Sequence, residues 1–91
     1  MYYVYILFSI KDKQLYVGYT NNMKRRLSQH VTGQVTATKH RLPLKFIYCE
    51  TYIKWTDAKR REKYLKGGNG RNQLKIQLQD ILKTLQYKHL N

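Results

Sequence analysis

Tyr2 to Phe8 is an apolar block that mixes aromatic and β-branched residues with no polar interruption. Such a run predicts a buried strand. Ser9 to Gln14 turns polar and charged, and Lys11-Asp12-Lys13 suits a hairpin turn. Leu15 to Thr20 predicts the returning strand, with Leu15, Val17 and Tyr19 on one face and Tyr16, Gly18 and Thr20 on the other. Thr20, Asn21 and Asn22 are N-cap candidates for a helix from Met23 to Val31, which Gly33 can end. The polar stretch from Gly33 to Leu42 reads as an exposed loop. Pro43 leads into a third strand, Leu44 to Tyr52. Thr56 is the expected cap of a second helix, from Asp57 to about Lys66. Gly67-Gly68-Asn69-Gly70 then breaks the chain, and a third helix runs from about Asn72 to Leu85. Leu74, Leu78, Ile81 and Leu85 form its apolar stripe.

The order β-β-α-β-α-α predicts an α/β (α+β) fold, in which helices flank a small, largely antiparallel three-stranded sheet. A chain of 91 residues predicts one domain, 1–91, with a modest core. No internal repeat, low-complexity segment or linker interrupts it.

Several polar residues fall on faces that should be apolar. On the first helix Met23, Leu27 and Val31 mark the buried side, and Arg26 and His30 lie on or beside it as i, i+4 neighbours. On the second helix Trp55, Ala58 and Leu65 mark the inward face. Glu62 falls at an angle between Trp55 and Ala58, so its carboxylate turns toward the sheet. A buried carboxylate needs a cation, several hydrogen bonds or a metal. A structural Glu62–Arg26 ion pair satisfies that need as well as chemistry does, and His30 on its own reads as a structural histidine. Nine tyrosines against two phenylalanines also demand hydroxyl partners. For Tyr2, Tyr48, Tyr52, Tyr64 and Tyr87 the expectation is amphipathic packing with hydroxyls at the rim of the sheet.

Charge narrows the partner. Eighteen Lys and Arg against five Asp and Glu give +13, which repels itself unless a polyanion is bound. Nucleic acid is the expected partner. A membrane is not, because no segment joins a basic face to a large apolar one and no apolar run is long enough to span a bilayer. Cys49 is alone, which excludes a disulfide within the chain and a thiolate metal site, and it reads as a small buried apolar residue. With no leader-like N-terminus, the expected compartment is the cytoplasm.

These residues together resemble the GIY-YIG nucleases. Tyr3-Val4-Tyr5-Ile6-Leu7 stands where the family has G-I-Y, and Tyr16-Val17-Gly18-Tyr19-Thr20 where it has Y-I-G. Arg26, ten residues after Tyr16, matches the family's helix arginine, and His30 a histidine of several branches. Glu62, within Arg60-Arg61-Glu62-Lys63-Tyr64-Leu65-Lys66, matches the metal-binding glutamate. The segment ending Lys66-Gly67-Gly68-Asn69-Gly70-Arg71 is similar to short standalone bacterial members related to the N-terminal nuclease domain of the excision-repair endonuclease. The resemblance spans roughly residues 2 to 83. Tyr3 departs from the family's glycine. Tyr19 stands where excision-repair members carry a lysine. The family's late asparagine has two candidates, Asn69 and Asn72.

The resemblance implies hydrolysis of a DNA phosphodiester, in DNA repair or processing. Glu62 would be the only protein ligand of Mg²⁺ (or Mn²⁺), with waters and a phosphate oxygen completing the shell. Tyr5 would be the general base, with Tyr16 as relay or alternative base. Arg26 would bind the scissile phosphate, and His30 would orient Tyr5 or relay a proton. Gly18 would let the backbone approach the phosphate. Lys39, His40, Arg41, Lys66, Arg71 and Lys75 are candidate phosphate contacts. A larger repair complex could recruit the protein, though no obligate protein partner is evident. A non-catalytic DNA- or RNA-binding module that retains the fold is the alternative, and a ribosome-associated basic protein a third.

Overall fold

The structure is a computed structural model, and it describes residues 1–90; residue 91, the last of the expected unit, lies outside the described residues. Three strands, β1 (Tyr2–Ser9), β2 (Leu15–Thr20) and β3 (Leu44–Tyr52), form one antiparallel sheet in the order β2-β1-β3. Four helices follow the strands in the order β-β-α-β-α-α-α: α1 (Met23–Val31), α2 (Trp55–Lys66), α3 (Gly68–Gln77) and α4 (Gln79–Leu85). The fold is therefore α+β with an antiparallel sheet, as the patterning predicts.

β1 is the central strand, and Val4 to Ser9 are all buried on it. Its uninterrupted apolar run follows from that position, because both of its faces are covered. Val4, Ile6 and Phe8 meet Leu15, Val17, Ala58, Leu65, Leu74 and Leu82 in the main apolar core, under α2, α3 and α4. Tyr5 points the other way, toward α1. β2 is an edge strand, so the two faces of the sheet meet around it.

The first helix is capped as its sequence suggests: the Asn22 side chain accepts from the Arg25 amide at 3.0 Å. Its buried residue is His30, while Val31 is exposed, so the inward side is rotated toward the polar residues and away from the expected Met23-Leu27-Val31 stripe. The following segment is not simply an exposed loop, since Val35 and Thr38 are buried in it.

The C-terminal helices depart further from expectation. α2 begins at Trp55 with Lys54 as N-cap and no side-chain cap, so Thr56 is not its cap. Only Gly67 separates α2 from α3, and Gly68, Asn69 and Gly70 are helical. A Cβ on Gly70 would fall on the Tyr64 carbonyl and the Leu65 Cα, so this glycine serves close helix–helix approach. The expected single third helix is two helices that meet at Leu78. Leu82 and Tyr87 close the core beyond that junction. Trp55, expected inward, is 52% exposed. Cys49 is only half-buried.

Candidate active site

The site forms around the edge strand. Tyr5 and Gly18 are cross-strand partners. A Cβ on Gly18 would coincide with Cζ, Cε2 and the hydroxyl of Tyr5, so the phenol lies across the bare backbone of residue 18. Its missing side chain makes room for Tyr5.

Tyr5 is fully buried, and its hydroxyl lies 2.7 Å from His30 Nε2. His30 Nδ1 lies 2.8 Å from the hydroxyl of buried Thr38. Tyr5, His30 and Thr38 thus form one line of hydrogen bonds from β1 through α1 to the loop. The Tyr16 ring packs edge-on against His30 at 5.2 Å and lies 6.3 Å from the Tyr5 ring. Arg26 sits one turn before His30, donates to Gln29 at 3.2 Å, and holds its charge beside the Tyr5 and Tyr16 phenols.

Electrostatics separate the roles. Burial pushes the Tyr5 phenol up to about 12; Arg26 opposes the shift, while Tyr16 and Glu62 add to it. Burial, then the Arg26 charge, pushes His30 down to about 4, so the imidazole is neutral at neutral pH.

Glu62 approaches from the other face, on α2. Its side chain is 13% exposed, and its oxygens pair with Lys59 at 2.9 Å and Lys66 at 3.2 Å. Those lysines, and not Arg26, are its counter-ions. Glu62 is close enough to oppose ionisation of both Tyr5 and Tyr19. Lys59 also lies over the Tyr19 ring, 4.7 Å from its centroid. Tyr19, Thr20, Asn21, Arg25, Arg26 and Gln29 line an open, mostly polar hollow of about 510 Å³ at this edge.

The residues suit a hard divalent ion that keeps most of its own waters and takes few protein ligands. Among the described residues no three His, Cys, Asp or Glu side chains gather. A largely buried carboxylate that draws two ammonium groups is nevertheless a strong cation donor, and Mg²⁺ commonly keeps waters around one or two such ligands.

Tyr5, Tyr16, Arg26, His30 and Glu62 therefore gather at one edge, with Lys66 beside Glu62. The other basic candidates do not all join them. Lys39 and His40 are exposed on the loop just beyond Thr38. Arg41 is tied to Asp12 at 2.5 Å and to the Leu15 carbonyl, bracing the hairpin turn. Arg71 donates to the Leu65 carbonyl at the end of α2. Lys75 is half-exposed on α3, and Asn69 and Asn72 are exposed there. Sequence reasoning missed Thr38, for which spacing gives no signal. It also missed Lys59, whose place three residues before Glu62 was readable.

A second polar centre was also missed. Glu50 on β3 accepts from Arg61 through two bonds of 2.9 and 3.0 Å, from Tyr48 at 2.8 Å and from Tyr52 at 2.5 Å. Burial raises its carboxyl, but these donors outweigh burial and hold it below the usual range. The Tyr48 and Tyr52 hydroxyls are thus tied to a carboxylate, not left at a wet rim.

Among the described residues no helix is long and apolar enough to cross a membrane. The GIY-YIG catalytic domain family matches residues 1–75. A UPF0213 protein of Limosilactobacillus reuteri is 41% identical over 88 residues, covering 90% of this chain and 91% of that one. A UPF0213 protein of Clostridium perfringens is 42% identical over 67 residues, 72% of this chain and 71% of its own. One from Natronomonas pharaonis is 36% identical over 66 residues, 71% of this chain and 76% of its own. No solved structure matches. With the tyrosines of β1 and β2, the arginine of α1 and the inward glutamate of α2, the chain belongs to the GIY-YIG family, a nuclease family, beside small UPF0213 relatives.

Proposed function

We propose that this protein is a metal-dependent DNA endonuclease that hydrolyses phosphodiester bonds, selecting DNA by structure more than by sequence. One observation carries the reading. The largely buried Glu62 carboxylate lies within electrostatic reach of the Tyr5 phenol, as does the Arg26 charge. Arg26 binds the scissile phosphate, where its fixed charge meets the developing negative charge. Tyr5 takes the proton of the attacking water. His30, neutral and held by Thr38, fixes the phenol in place and is a positioning residue. Tyr16, half-buried beside both, relays the water's proton. Mg²⁺ or Mn²⁺ held by Glu62 would supply Lewis-acid stabilisation of the departing oxygen and favour the ionised phenol. In this reading residues 1–91 act as one catalytic unit in the cytoplasm. The unit serves DNA repair or processing, alone or recruited by a larger repair complex. Lys66, Lys39 and His40 are the proposed phosphate contacts nearest the site.

A second reading, a DNA- or RNA-binding module without catalysis, gains support from the resting electrostatics. The Tyr5 phenol is pushed up to about 12, and Glu62 is already neutralised by two lysines. Nicking of supercoiled plasmid in Mg²⁺ and Mn²⁺ separates the two. The endonuclease nicks it, and Glu62→Gln and Arg26→Ala abolish nicking while the fold survives. Tight plasmid binding with no nicking in either ion would establish the module instead.

A further inference from the structure

Trp55 is the sole tryptophan, and it stands half out in solvent on the helix that carries Glu62. Trp55, Lys59, Glu62 and Lys66 succeed one another at i+4, i+3 and i+4, so they share one stripe of α2. An indole this exposed gives up apolar burial that the small core could have used. Its neighbours on the chain are mainly cationic, with Lys54 preceding it and Lys59 one turn on, and the nearby Asp57 is paired with Arg60.

We propose that Trp55 is a stacking platform for an unpaired nucleobase of single-stranded DNA, close to the phosphodiester held at Glu62. An aromatic face interleaved with ammonium groups along a helix is the chemistry that binds single strands, because every base offers a π-face and every nucleotide a phosphate. Duplex DNA hides its base faces and offers Trp55 nothing to stack on. The seven residues from Trp55 to Glu62 span about 10 Å of helix. That is about three nucleotides at the duplex spacing of roughly 3.4 Å, and fewer in an extended single strand. The platform therefore serves a base within a few nucleotides of the cleaved bond. For the position of that bond the inference rests on the endonuclease reading; for binding it does not. It assigns the substrate class: DNA with a single-stranded segment at the cut.

The test uses Trp55 as its own reporter. The full chain, in EDTA so that nothing is cut, is titrated with oligo-dT and with a blunt duplex of equal length. Oligo-dT quenches the tryptophan fluorescence, and the duplex quenches it far less. With a labelled oligo-dT, Trp55→Ala weakens binding roughly tenfold and Trp55→Phe restores most of it. Both variants change duplex affinity less than twofold and keep the wild-type circular dichroism and melting temperature. Equal quenching by the two DNAs overturns the proposal, as does unaltered oligo-dT affinity in Trp55→Ala. Binding of neither DNA also overturns it and leaves the exposed indole to a protein partner. If quenching occurs but plasmid is never nicked, the hydrolytic reading fails while the stacking platform stands.

Discussion

The Tyr5 phenol occupies the volume in which a side chain on its cross-strand partner Gly18 would stand. The two positions are therefore one feature: the glycine exists for the tyrosine. Gly18→Ala should cost roughly 2 to 3 kcal/mol, the upper range for an overpacked core, and should displace Tyr5 from His30. In a Tyr5→Leu background most of that cost should vanish, since leucine lacks the outer ring atoms. A double-mutant cycle by urea denaturation measures it, and additive losses would show that the two residues are independent.

His30 links the site to acid stability. Its folded pKa of about 4 lies below the ordinary 6.5. Between those values the unfolded chain holds a proton that the folded chain does not. Stability is therefore full above pH 6.5 and falls as pH drops toward 4. The loss should be on the order of 3 kcal/mol, at about 1.36 kcal/mol per unit. Denaturation midpoints from pH 4 to 8 read this directly, and His30→Gln should flatten the slope across that window.

Catalysis should follow the phenol. With Tyr5 pushed up to about 12 and its ionised form required, activity should climb across the neutral and mildly alkaline range, roughly tenfold per pH unit. Tyr5→Phe should remove at least about 100-fold of kcat. A flat rate–pH profile in the same range would move the role of base to another group.

In the endonuclease reading, a divalent ion competes with Lys59 and Lys66 for Glu62. Changing Lys59 and Lys66 together to Gln removes both competitors and should tighten Mn²⁺ binding several-fold at low salt, as read by electron paramagnetic resonance. Glu62→Gln should abolish that binding. Unchanged Mn²⁺ affinity in the double lysine variant would place the ion elsewhere.

The Glu50–Arg61 centre should matter for stability and not for cutting. Arg61→Ala leaves a largely buried carboxylate with only its two tyrosine donors. A loss of roughly 1 to 3 kcal/mol is expected. Nicking by the folded variant should match wild type, and Glu50→Gln with Arg61→Ala should recover part of the stability.

The strands and the first helix were legible because short-range rules decide them. Alternation set β2, and the Asn22 cap set the start of α1. The inward turn of Glu62 was legible from helix angle alone. What escaped reading depends on partners far along the chain. Thr38 is buried because His30, eight residues earlier, needs a hydrogen bond. Gly70 is a glycine within a helix because the Tyr64–Leu65 backbone lies where a Cβ would stand, and that close approach outweighs its poor helix propensity. Trp55 looked like core because its size and angle suited the core, and solvent exposure of an indole has no local signature.

The helix break at Leu78 bears on how this architecture can vary. All five residues gathered at the edge strand precede it, and the family match stops at residue 75. Leu82 and Tyr87, which seal the bottom of the apolar interior, come after it. Chemistry and closure thus occupy successive stretches of chain joined at a single kink. Any terminal segment that refills the places of Leu82 and Tyr87 therefore satisfies the interior without touching the phenols, the guanidinium or the carboxylate.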